Sequence, residues 1–217
     1  MKIKVVHKHP LPLRWNHWIN FPLLTLMVIS GLAIYWANPA YISADWLEKI
    51  GLGRRLATGL AWHFALAFVF ILNGLLYFIF LLKTGHIRYL FPDRNSFKEA
   101  LVVALHDFGF KKWALPAQVK YNAAQRVTYS GVFILGLLGA ATGLAIYKPW
   151  QLNWLLSILG GYEAARLEHF IVMILFVLFF ITHIIQVVRA GWNNFRAMIS
   201  GVEVKTEEKH EFKAPTP

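Results

Sequence analysis

Four stretches of the 217-residue chain contain no Asp, Glu, Lys or Arg. They run between Arg14 and Asp45, Arg55 and Lys83, Arg126 and Lys148, and Glu168 and Arg189. Each is long enough for a membrane-spanning helix of about 20 residues. The pattern predicts four such helices, near 15–36, 57–82, 124–147 and 166–188. The first opens with Arg14-Trp15-Asn16-His17-Trp18, whose tryptophans suit the membrane interface. Pro22 frees a backbone carbonyl one turn back and predicts a kink just past His17. In the 37–54 connection, Asn38-Pro39 is followed by a predicted short helix around Ser43–Ile50.

The longest connection is 83–121. Within it, Ser96-Phe97-Lys98-Glu99 reads as a capping box that opens a helix. Phe97, Leu101, Leu105 and Phe108 share one face of that helix, so it either lies on the membrane surface or packs on the end of the bundle. The 148–165 connection is rich in Trp and Leu and is expected along the outer membrane face. Past Gly201 the chain turns to Lys, Glu and Pro. Residues 202–217 therefore read as a mobile charged tail, and 1–201 as one membrane domain without a strong internal repeat.

Charge then orients the bundle. The formal net charge is +11, from 22 Lys and Arg against 11 Asp and Glu. Seventeen of the 22 precede helix one, lie between helices two and three, or follow helix four. Only Lys49, Arg54, Arg55, Lys148 and Arg166 sit in the other two connections. Both termini and the 83–121 connection are thus predicted to be cytoplasmic. Anionic lipid headgroups are the natural counter-charge, and no nucleic-acid partner is implied. The first apolar stretch is too long for a removable signal peptide, and no small-residue cleavage site follows it. Cysteine is absent, which excludes disulfides, cysteine-ligated clusters and covalent haem attachment. Neither a G-x-G-x-x-G, a Walker motif nor an H-E-x-x-H is present.

Four histidines fall inside the predicted spans: His17, His63, His169 and His183. The last two share one helix, fourteen residues apart. That places them roughly 21 Å apart along the axis and only roughly 40° from the same face. Topology sets the depth of each. His17 begins an outward-running helix and is cytoplasmic; His63 is early in an inward-running one and lies near the outer face. On the fourth helix His169 is outer and His183 cytoplasmic. The depths pair His17 with His183 and His63 with His169. Bis-histidine ligation of two stacked haems in a four-helix bundle follows, with each histidine as an axial ligand to haem iron. The fold class is an all-α membrane protein: a four-transmembrane-helix bundle holding two b-type haems, with both termini cytoplasmic. Gly31, Gly74, Gly131, Gly136, Gly139 and Gly143 can admit either a flat ring or another helix. Arg14 inside, and Arg54, Arg55 and Arg166 outside, can pair with haem propionates or snorkel to the interface. His7, His9, His86, His106 and His210 read as solvated.

With these residues in view, the chain resembles the bacterial cytochrome b561 / nickel–iron hydrogenase cytochrome b family. It is most similar to the di-haem gamma subunits of formate dehydrogenase, hydrogenase and thiosulfate reductase. The resemblance spans about residues 10–200. It rests on Arg14-Trp15-Asn16-His17-Trp18, on His63, and on the His169–His183 spacing. Lys120-Tyr121-Asn122-Ala123-Ala124-Gln125-Arg126 and Arg189-Ala190-Gly191-Trp192-Asn193-Asn194 add to it. It implies electron transfer in the bacterial inner membrane between quinone and a periplasmic redox enzyme, hydrogenase-like or molybdopterin-dependent. Asn122 matches a quinone-contacting position, with Gln125 and Arg126 beside it; by residue chemistry alone Asn122 is equally a helix N-cap. The alternatives are a stand-alone quinone reductase acting on a small oxidant such as superoxide, and a metal or proton transporter. None of the four spans offers the midplane carboxylate expected of a transporter.

Overall fold

In the computed structural model the described residues are 2–38, 42–107 and 123–207. Nine helices and two strands are assigned among them. The four longest are α1 (Leu11–Tyr35), α3 (Leu56–Thr84), α6 (Ala123–Tyr147) and α8 (Tyr162–Ala190). All four are long and apolar enough to cross a membrane. Their limits lie within a few residues of the predicted spans. Their large side chains point outward, the inverse of a soluble protein: Phe68, Leu72 and Leu76 on α3 are all more than half exposed. Lipid is the solvent that tolerates such a surface, and helices satisfy their own backbone within it.

Local chemistry sets the helix ends. Pro12 lies in the first turn of α1, where its missing N–H is not needed. Pro22 lies inside α1 without ending it. The predicted short outer helix is α2 (Ala44–Lys49), capped by the Ser43 hydroxyl, which accepts from the Trp46 N–H at 3.3 Å. A second short helix, α7 (Asn153–Ile158), occupies the connection between α6 and α8. Gly191, at φ +80°, turns the chain out of α8 into α9 (Trp192–Ser200). A side chain there would be strained, and glycine is not.

The helices associate as two antiparallel pairs. α1 packs along α3 and α6 along α8, whereas the two pairs approach each other only sparsely. The α1–α3 seam is close: a Cβ on Gly59 would lie 3.1 Å from the Ala33 Cβ and the Ser30 carbonyl oxygen. Amides reinforce it. Asn73 Nδ2 donates to Asn20 Oδ1 at 2.9 Å, and Asn16 Nδ2 donates to the Asn73 carbonyl at 3.3 Å. In lipid, where no water competes, such interhelical bonds hold register.

A collar closes one end of the bundle. β1 (Lys2–His7) pairs antiparallel with β2 (Val202–Glu207), in the register His7 to Val202. Both ends of the described chain therefore lie on one side. The pairing also corrects the reading of 202–217 as a mobile tail: 202–207 are a strand, and 208–217 lie outside the described residues. The basic arm supplies the ladder partner that a tail lacks by itself. Lys8 Nζ bonds Glu203 Oε1 at 2.8 Å and Asn194 Oδ1 at 2.7 Å. Trp18 Nε1 donates to the Met198 carbonyl at 3.0 Å, strapping α9 beneath α1. His9 is half-buried in this collar, not solvated. His86 packs against Phe80 with ring centroids 5.8 Å apart.

On the same side, α4 (Ile87–Leu90) and α5 (Ser96–Asp107) follow α3. Ser96 is not the cap that its capping box suggests. Asp93 Oδ1 accepts the N–H of Asn95 and of Ser96 and the Ser96 hydroxyl, at 2.9–3.1 Å. The Ser96 hydroxyl first, then the Arg126 guanidinium, holds the Asp93 carboxyl below the usual carboxylate range. α5 packs against α6 and buries Val103, so Phe97 and Leu101 of the predicted apolar face point outward. Phe108 lies outside the described residues.

Candidate haem-binding site

The four histidines meet in two pairs across the gap between the helix pairs. His17 on α1 faces His183 on α8, with ring centroids 5.9 Å apart and planes at 60°. His63 on α3 faces His169 on α8, with centroids 6.1 Å apart and planes at 77°. The pairing predicted from depth is the pairing observed. A metal held at about 2 Å by one nitrogen of each ring would separate the centroids by about 6 Å. Each pair thus offers the span that one shared metal needs.

Donor chemistry narrows what that metal carries. Among the described residues no group of three or more His, Asp or Glu is placed to hold a bare ion. Two imidazoles cannot complete a shell of four or more ligands. They suffice if a macrocycle supplies the in-plane donors and leaves two axial positions, as haem does. The sparse contact between the helix pairs suits such a flat group.

Around the His63–His169 pair the surroundings fit closely. His63 Nδ1 lies 3.1 Å from both the Met27 carbonyl oxygen and the Ser30 Oγ. A carbonyl only accepts, so Nδ1 carries the proton and leaves Nε2 its lone pair. His169 Nδ1 lies 2.9 Å from Thr142 Oγ1, whose own hydroxyl donates to the Leu138 carbonyl at 2.7 Å. That oxygen therefore accepts from His169, and Nε2 is again the free nitrogen. Glycine makes room for each ring. A Cβ on Gly31 would lie 3.3 Å from His63 Cε1, and one on Gly143 would lie 3.1 Å from His169 Cε1.

The His17–His183 pair, at the collar end, is built differently. Among the described residues, His17 Nδ1 is buried without a hydrogen-bond partner. The His17 ring meets Trp18 edge-on at 5.1 Å, and His183 stacks on Phe179 at 5.5 Å.

The remaining predicted residues are placed as follows. Asn122 lies outside the described residues. Gln125 is exposed in the first turn of α6. Arg126 is engaged: Nη2 donates to the Phe91 carbonyl at 2.6 Å and Nη1 pairs with Asp93 Oδ2 at 2.9 Å, tying α6 to the α4–α5 turn. Arg14 Nη1 donates to the Ile199 carbonyl, and its Nε is buried with no hydrogen-bond partner among the described residues. At the end away from the collar, Arg54 pairs with Glu48 at 3.4 Å and Arg166 with Glu163 at 3.0 Å. Arg55 is exposed at the start of α3. Of the glycines proposed to make room, Gly31 and Gly143 abut histidine rings, whereas Gly74 and Gly131 have none of the described residues within 4 Å of an added Cβ.

Sequence reasoning missed Ser30 and Thr142. The signal was present. Ser30-Gly31-Leu32-Ala33-Ile34-Tyr35 ends α1, and Thr142-Gly143-Leu144-Ala145-Ile146-Tyr147 ends α6. A short internal repeat therefore exists where no strong one was expected. His63 and His169, each the eighth residue of its helix, extend it.

A four-helix membrane bundle with imidazoles paired across its interior defines a membrane cytochrome of the b type. The family model described as prokaryotic cytochrome b561 matches residues 8–201. The chain belongs to that family and is a multi-pass membrane haem protein of electron transport. A curated relative is the putative protein-methionine-sulfoxide reductase subunit YedZ1 of Azospira oryzae. It is 34% identical over 179 residues, covering 82% of this chain and 89% of the relative.

Proposed function

We propose that this chain is the membrane-anchoring di-haem subunit that passes electrons between the quinone pool and a redox enzyme on the outer face. The observation that carries the reading is the pair of facing imidazoles at each of two levels, 5.9 and 6.1 Å apart. His17 and His183 are the inner axial ligands, and His63 and His169 the outer ones. Two haem b groups at these pairs supply one-electron carriage across the membrane. The excess of Lys and Arg at the collar end supports cytoplasmic termini in an inner membrane.

The relative is named as a subunit of a reductase of protein methionine sulfoxide. That supports an outer partner of the same chemistry, with electrons running outward from quinol. The test is a haem count with purified full-length protein. Pyridine haemochrome analysis is expected to give two haems per chain, and a quinol analogue is expected to reduce them. One haem per chain would sink the di-haem reading; none would sink electron transfer altogether.

In this reading the quinone end lies where α6 begins. Asn122 donates to a quinone carbonyl, Gln125 stands one turn further along, and Arg126, pinned by Asp93, fixes the start of the helix. Arg14 serves an inner propionate. Arg54, Arg55 and Arg166 serve outer ones, with Glu48 and Glu163 exchanged for the propionate at Arg54 and Arg166. Asn122→Ala is expected to keep both haems yet slow reduction by a quinol analogue tenfold or more, on the order of 1.4 kcal/mol. Unchanged stopped-flow kinetics would leave Asn122 a helix cap and move the quinone site elsewhere.

A further inference from the structure

The two histidine pairs differ in what lies behind the rings. Behind each outer imidazole stands an acceptor. Ser30 Oγ and the Met27 carbonyl receive the His63 Nδ1 proton, and Thr142 Oγ1 receives that of His169. Both hydroxyls are themselves tied down. Ser30 Oγ donates to the Leu26 carbonyl at 2.8 Å, and Thr142 Oγ1 to the Leu138 carbonyl at 2.7 Å. Their own protons are thus used within the helix, so their oxygens are held as acceptors toward the rings. Both residues are buried, at 6% and 1% exposure, so water does not substitute for them.

The device occurs twice, in a hydroxyl–glycine–Leu-Ala-Ile-Tyr sequence that ends α1 and again α6. The hydroxyl receives the ring proton and the next residue, glycine, clears space for the ring. Behind the inner pair stand Trp18 and Phe179, and among the described residues the His17 Nδ1 is buried without an acceptor. Aromatic contact holds a ring in place without drawing on its proton.

An imidazole that donates its second N–H to an acceptor becomes a more basic ligand. Hydrogen bonding behind the axial ligands and their basicity are among the levers by which a protein sets a haem potential. We propose that Ser30 and Thr142 are positioning residues that make the outer histidine pair the more electron-donating of the two. They thereby make the outer level the more reducing site. The inference rests on the reading that each pair holds a haem. Exchange between the levels moves one electron, with no bond made or broken, and the Nδ1 protons stay on His63 and His169. An electron in the bundle then rests at the inner level unless a partner outside withdraws it.

The test is an optical redox titration of the purified full-length protein. The outer component is assigned as the one lost in His169→Ala. In the unaltered protein that component is expected at the lower potential. Thr142→Val keeps the shape and removes the hydroxyl acceptor, and Ser30→Ala removes the other hydroxyl, so that only backbone carbonyls remain behind the two rings. The double variant is expected to raise the reduced-to-oxidised ratio of the outer component at least tenfold at fixed ambient potential. That corresponds to about 59 mV for a one-electron couple. The inner component stays where it was. Thr142→Ser and Ser30→Thr, which retain an acceptor, leave both components unmoved. If the double variant loses its outer haem, the two single variants carry the test, each with a smaller shift of the same sign.

An outer component at or above the inner one in the unaltered protein would overturn the proposal. So would an unmoved outer potential, or both components shifting together. A chain without haem would overturn the functional reading as well. Two haems with unmoved potentials would overturn this inference alone.

Discussion

Alanine at His17 or at His183 removes the same haem, and alanine at His63 or at His169 removes the other. This is the expected result for ligands that face each other at 5.9 Å and 6.1 Å. Loss of either ring leaves one axial position unfilled. It also opens a cavity between the helices and leaves the facing imidazole without a partner in a medium where unpaired polar groups are costly. The loss is therefore close to all-or-none for one haem: half the pyridine haemochrome signal disappears. The component that remains is the same for both members of a pair. Low-temperature spectra of the four variants decide it. A His17 variant losing the component that a His63 variant loses would break the pairing and the two-level arrangement with it.

Valine at Gly143 is expected to expel the outer haem and spare the inner one. Even the first added carbon lies 3.1 Å from His169 Cε1, and the ring cannot back away while Thr142 holds its Nδ1 at 2.9 Å. A β-branched side chain adds two further carbons beside the ring. Overpacking of this kind costs about 1–3 kcal/mol, or roughly five- to 150-fold in occupancy. Gly131→Val on the same helix is the control, since nothing lies within 4 Å of its added Cβ. Spectral titration of the apoprotein with haem measures both. Equal occupancy of the outer site in the two variants would show that Gly143 does not make room for the His169 ring.

Much of this architecture is legible along the chain because lipid imposes a simple code. A run without charge must be a helix and must span, so the predicted limits at 57–82 and 124–147 fall within two residues of α3 and α6. Positive charge predicts an orientation for the spans, and position along an oriented span becomes depth. Depth alone was enough to pair His17 with His183 and His63 with His169. The repeat ending α1 and α6 was equally legible and went unread, because its meaning depends on which rings it faces.

Other features depend on groups far apart in sequence. β1 and β2 pair residues about 200 positions apart, so 202–207 looks like a tail until residues 2–7 are beside it. Arg126, a candidate quinone contact in the sequence, is drawn to Asp93 and the Phe91 carbonyl 33 and 35 residues away. Asp93, not Ser96, caps α5, because a carboxylate with three donors around it outcompetes a hydroxyl.

What the sequence determined by itself is the number of spans and which histidines share a level, since hydropathy and helical rise are local quantities. What only the tertiary structure decided is the chemistry behind each ring. A hydroxyl or a carbonyl is within reach of an imidazole on another helix only once the helices have chosen their faces and register. That choice is made by packing, at Gly59 against Ala33 and at Asn73 against Asn20, and not by composition.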